Sequence, residues 1–143
     1  MERNDAELME KLKKLADWLE EIISSLRTKK DVDIYLEARY FLYEYSHNVS
    51  MLQYMVDEID IIIDHSKAEY FKENKWKYKS DAATERMYLM DNSEEIMNFQ
   101  KKEAKLRYFV NKMKSYNSLL DSISFSFIQE NVERKRSNSQ PKV

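Results

Sequence analysis

Apolar residues return every three or four positions over most of this chain, and that rhythm predicts helices almost from end to end. Leu8, Leu12, Leu15, Leu19, Ile23 and Leu26 draw one stripe, so a first helix is expected from about Asp5 to Leu26, with Asn4 or Asp5 as cap. Thr28 to Asp33 reads as a short loop. A second stripe runs Ile34, Ala38, Phe41, Tyr45, Val49, Leu52, Val56, Ile59, Ile63, Ser66 and Tyr70, close to a coiled-coil repeat. Its 37 residues would make a rod of about 55 Å. Lys77 to Ala83 reads as a break, followed by a short helical piece from Thr84 to Met90. The last helix is expected from Asn92 or Ser93, where Glu94 and Glu95 complete a cap signature. Its stripe is Ile96, Phe99, Leu106, Val110, Met113, Tyr116, Leu120, Ile123 and Phe127, with Glu103 in the gap. Ser122 to Phe127 also alternates with a period of two, a strand signal. Helix is the reading taken, because the longer stripe passes through and no second strand exists to pair.

Composition sharpens this into an all-α class. The chain has no Gly, no Cys and a single proline, Pro141. Without Gly there is no phosphate-cradling loop and no dinucleotide fingerprint, and without Cys no disulfide, thiolate nucleophile or cysteine-held zinc. A length of 143 residues suits a single helical domain over residues 1–133, with the polar, basic 134–143 as a disordered tail. The rod is too long for a round monomer, whose radius of gyration would be about 15 Å. The expected architecture is therefore an elongated helical bundle or hairpin of two long helices plus shorter ones, oligomeric, with ends covered by other subunits. Tyr35, Tyr40, Tyr43, Tyr45 and Tyr54 reach beyond one face of the second helix. They read equally as a wide core stripe or as a subunit interface. No stretch approaches the length of a membrane span, and the expectation is a soluble, cytoplasmic protein.

Charge is segregated along the chain. Residues 1–64 hold 8 Lys/Arg against 15 Asp/Glu, and residues 65–143 hold 16 against 11. The positive charge gathers where Lys67, Lys72, Lys75, Lys77 and Lys79 surround Tyr70, Phe71, Trp76 and Tyr78. That mixture suits single-stranded nucleic acid: ammonium groups neutralise phosphates and aromatic faces take stacked bases. The candidate residues are Lys67, Lys72, Lys75, Trp76, Lys77, Tyr78 and Lys79. Lys72, Lys75 and Lys79 would share an edge if the helix persisted that far. The plainer reading packs Trp76 and Phe71 into the helix interface and leaves the lysines to solvate a helix end. A second candidate set lines the last helix: Lys101, Lys102, Lys105, Arg107, Lys112 and Lys114.

Catalytic chemistry finds little support. Glu44-x-x-His47 has the spacing used in di-iron helical proteins, but His65 has Ile62 three residues before it, so the second motif is missing. Asp57, Asp60 and Asp64 share a face of the second helix, yet no facing acidic motif completes a magnesium site. A solvated acidic face, or a docking surface for a basic partner, is the better reading. No enzyme, metal or cofactor is expected.

Three stretches in order carry a resemblance: Tyr43-Glu44-Tyr45-Ser46-His47-Asn48-Val49, then Lys72-x-x-Lys75-Trp76-x-Tyr78, then Tyr88-Leu89-x-Asp91 leading into a long helix that closes at Glu133-Arg134. Over roughly residues 33–136 the chain resembles the UvsY-like phage recombination mediators. The family commonly has Gly where Lys79-Ser80-Asp81 stands here. The resemblance implies an oligomeric all-α protein in the host cytoplasm, acting in DNA recombination and repair. It would bind single-stranded DNA and help load a RecA-like recombinase onto DNA coated by single-strand-binding protein, with recombinase and single-strand-binding protein as partners. The family's basic segment falls on Lys72, Lys75 and Lys77. The alternative is a helical protein-interaction module, such as a phage inhibitor, docking through the acidic face with no DNA role.

Overall fold

The computed structural model describes residues 2–139, and among them the chain is all-helical. Four helices follow one another: α1 (Glu2–Thr28), α2 (Val32–Glu73), α3 (Asp81–Asp91) and α4 (Ser93–Ser139). The Ser122–Phe127 stretch is helical throughout, so the 3.6-residue rhythm prevails where period two competed with it. α1 begins ahead of Asn4 and Asp5, which lie within its first turn rather than capping it. Asp31 caps α2: its Oδ1 accepts the backbone N–H of Asp33 at 2.8 Å and of Ile34 at 3.3 Å. α4 continues through 134–139, the first part of the expected tail, with no Gly or Pro before Pro141 to stop it. Residues 140–143 of that tail lie outside the described residues.

The chain divides into two compact units: residues up to Val49 together with those from Phe109 onward, and Ser50–Tyr108. In the first unit α1 supplies an unbroken apolar face, with Leu8, Leu12, Leu15, Leu19, Ile23 and Leu26 all buried. Truncating a fully buried member such as Leu12 or Leu19 to Ala costs about 2–5 kcal/mol. Ascending positions meet descending positions on α4: Lys30, just ahead of α2, with Glu130, and on α2 itself Tyr35 with Phe127, Arg39 with Asp121 and Tyr45 with Phe109. The two segments therefore run antiparallel within this unit. Tyr45 is fully buried, sets its ring edge-on to Tyr116 at 5.8 Å, and donates its hydroxyl to the Phe109 carbonyl at 3.1 Å. The phenol thus buries a large ring without stranding its polar tip. Glu20 of α1 accepts from Lys112 at 2.8 Å and from Tyr116 at 2.7 Å.

In the second unit α2 carries Leu52 and Val56 into the core, and α3 answers with Thr84 and Tyr88. Ser80 caps α3 by accepting the Ala83 N–H at 3.1 Å, while the Thr84 hydroxyl donates to the Ser80 carbonyl at 3.0 Å. Tyr88 lies edge-on to Tyr70 at 5.4 Å and donates to the Ile63 carbonyl at 3.3 Å. Asn92 alone separates α3 from α4, its backbone and side-chain N–H both reaching the Tyr88 carbonyl at 3.0 Å.

Folding also redistributes charge. Residues 50–108 hold 10 Lys/Arg against 12 Asp/Glu, and the remainder holds 14 against 14. The acidic and basic halves of the chain do not survive as acidic and basic bodies, because each unit draws on both. What persists are local patches.

Candidate functional site

The Lys/aromatic segment falls in the second unit, on the connection between α2 and α3. α2 stops at Glu73, four residues before the expected break, and Asn74 finishes it. The Asn74 backbone N–H and side-chain amide both donate to the Tyr70 carbonyl, at 3.0 and 2.9 Å. With its carbonyl accepting the Lys77 N–H at 3.1 Å, Asn74 turns the chain into a tight connection. The helix therefore does not persist to residue 79, and Lys72, Lys75 and Lys79 share no helix edge.

The connection presents its aromatic group to water. Trp76 is 90% exposed, which removes it from any core role. Phe71 and Tyr78 are half-buried, in keeping with the plainer reading for Phe71. The Lys75 ammonium sits 5.3 Å from the Trp76 ring centre, and that of Lys77 sits 5.7 Å from the Tyr78 ring. A positive group over the face of an aromatic ring is the cation–π arrangement, modest at an exposed site. Lys72, Lys75, Lys77 and Lys79 are all exposed. Lys67 stands apart: its ammonium pairs with Glu85 of α3 at 2.7 Å, so it braces the two helices.

Tyr70 ends the apolar stripe of α2, and it also tethers this connection. Its hydroxyl donates to Asp91 at 3.0 Å and shares a hydrogen bond with Tyr78. The bond with Tyr78, partial desolvation and the Asp91 carboxylate hold the Tyr70 phenol far above its ordinary range. Tyr78 is thereby fixed to the ends of α2 and α3, and the segment between Asn74 and Tyr78 is pinned at both limits. No local signal announces such a chain of three side chains drawn from three stretches of sequence.

The second candidate set is dispersed. Lys101, Lys102, Lys105 and Arg107 belong to the second unit and Lys112 and Lys114 to the first. Helical geometry puts Lys101 and Lys105 one turn apart on one face, while Arg107 falls on the opposite side. Lys112 is engaged with Glu20 and lies 5.9 Å from the Tyr116 ring, which makes it part of the packing. Glu44 accepts from Tyr40 at 3.3 Å, and His65 lies 3.3 Å from Glu69 on the next turn. Among the described residues no group of three or more His, Cys, Asp or Glu is placed to hold a metal ion. Nor, among them, is any helix long and apolar enough to cross a membrane.

No protein-family model matches this chain, and no curated protein or solved structure is similar to it.

Proposed function

We propose that this protein binds single-stranded DNA through the α2–α3 connection, using Lys72, Lys75, Lys77 and Lys79 on phosphates and Trp76 as a stacking platform. The observation that carries the reading is Trp76, an indole 90% exposed on a pinned connection with a lysine over its face. An exposed Trp gains nothing for the fold, and its apolar face costs free energy in water until something covers it. A base does so at about 1–3 kcal/mol, while neighbouring ammonium groups release counterions from the strand. One such site is weak. We therefore place it in a homo-oligomer that presents several copies, where linked binding multiplies modest affinities. With the resemblance to the UvsY-like family, the role that follows is recombination mediator. The protein would hold single-stranded DNA in the cytoplasm while a RecA-like recombinase displaces single-strand-binding protein.

The test is fluorescence anisotropy with labelled oligo-dT across a range of salt, comparing the parent with a Lys72→Ala/Lys75→Ala/Lys77→Ala variant. The parent should bind with salt-sensitive affinity. The variant should bind more weakly, with a log–log salt slope flatter by about 0.7 for each phosphate no longer neutralised. Equal binding by a normally folded variant at every salt would remove this segment as the site. Light scattering checks the assembly: a 17.4 kDa particle at micromolar concentration would remove the oligomer.

A further inference from the structure

The second unit carries a surface unrelated to the Trp76 connection. On α2, Met51, Tyr54, Ile61 and Ile62 are all exposed, the last three at 66%, 68% and 59%. At 3.6 residues per turn the four fall within an arc of about 100°, with Glu58 inside it. Scattered exposed apolar residues are ordinary, but four on one face over three turns form a continuous stripe. Glu58 is an exposed carboxylate within the stripe, beside the Tyr54 phenol. Along one border of the stripe run Asp57, Asp60 and Asp64, all exposed or half-exposed and spaced three and four apart. Among the described residues none of the three aspartates is held in an ion pair; Asp57 accepts only the Gln53 amide, at 2.8 Å.

We propose that this face docks an amphipathic basic helix of another protein, its apolar stripe laid on Tyr54, Ile61 and Ile62 and a row of Lys or Arg along Asp57, Asp60 and Asp64. The chemistry on both sides follows from the layout. The apolar stripe supplies the area an i, i+3, i+4, i+7 face needs, and the acidic border selects cationic residues along one edge of the incoming helix. A second copy of this chain fits poorly. Laid antiparallel across the patch about a two-fold axis, it would set the three aspartates against the same three aspartates, which is repulsive. Laid parallel, it would face them with the flank of α2 that carries Met55 and Ile59, which is half-buried in this unit. The inference is independent of the strand-binding site, since no residue is shared.

The probe is a fluorescein-labelled 18-residue peptide with Leu at i, i+3, i+4 and i+7 and Lys along one edge. Its controls are the same peptide with Glu for Lys and one of identical composition in scrambled order. The full-length protein should bind the Lys peptide, less tightly as salt rises, and neither control. Ile61→Ser/Ile62→Ser should weaken binding at least tenfold at constant charge. Asp57→Asn/Asp60→Asn/Asp64→Asn should also weaken it and flatten its salt dependence. None of these positions is buried, so circular dichroism should stay unchanged. Absence of binding by the Lys peptide, equal binding by the scrambled one, or indifference to either set of substitutions overturns the proposal. So does a fall in particle mass, by sedimentation, in the Ile61→Ser/Ile62→Ser variant, which would assign the face to a second copy.

Discussion

Replacing Trp76 by alanine separates a binding role from a structural one, because the fold makes almost no use of the ring. At 90% exposure the indole surrenders little buried area on truncation. Among the described residues, the one interaction it forfeits is that with the Lys75 ammonium at 5.3 Å, about 0.5–1 kcal/mol at an exposed site. The connection keeps its tethers, Asn74 on Tyr70 and Tyr70 on Asp91. Trp76→Ala should therefore melt within a few degrees of the parent. If a base stacks on the ring, the same change should cost about 1–3 kcal/mol, a loss of roughly 5- to 150-fold in affinity per engaged site. Stacking releases no counterions, so log Kd against log salt should shift with its slope unchanged, unlike the lysine variant. Trp76→Phe should recover much of the loss, since any aromatic face serves. Intrinsic fluorescence gives a second readout: Trp18, the other tryptophan, can be set to Phe, leaving Trp76 to report its own quenching by oligo-dT. Unchanged affinity in Trp76→Ala at every salt, with normal melting, would refute the stacking argument.

Three further outcomes rest on the fold. Tyr45→Phe removes a buried hydrogen bond to the Phe109 carbonyl while keeping the ring, and should cost about 1 kcal/mol in urea unfolding, against about 3–5 kcal/mol for Tyr45→Ala. Ser80→Ala removes the cap of α3 and should cost about 1 kcal/mol, seen as faster amide exchange at Ala83 and its neighbours. The Lys112 and Tyr116 hydrogen bonds hold the Glu20 carboxyl below its ordinary value of 4.5. A depressed carboxyl stabilises the fold above that value and loses its contribution as pH falls through the folded pKa. Glu20→Gln should thus melt lower than the parent near neutral pH, by a modest amount because the pair is half-exposed, with the gap closing in acid.

Much of the helical framework is legible in local pattern. The α1 stripe is buried residue for residue, because an amphipathic helix writes its buried face directly into spacing. The absence of Gly and Pro before residue 141 excludes most alternatives to helix, and it also explains why α4 runs past 133 where low hydrophobicity suggests a tail. Phe109 escapes the α4 stripe because counting from Leu106 reaches Val110 on the same rhythm, and periodicity cannot choose between adjacent residues on the edge of a face.

What the pattern does not contain is partnership. Lys67 and Lys112 look in sequence like members of basic clusters, yet each is spent on a distant carboxylate, Glu85 and Glu20. The segregated charge of the two halves of the chain vanishes once α2 and α4 each divide between two units. Trp76 reads alike as a core residue or a stacking platform in any local window. Its exposure follows from where Asn74 ends α2 and from the Tyr78–Tyr70–Asp91 tether, which joins side chains from three separate segments. Spacing along a chain reports which face of a helix is apolar, because backbone geometry fixes the angle between neighbours. Which charges pair and which rings stay in water depends on the faces that meet across long loops of sequence, and only packing settles that.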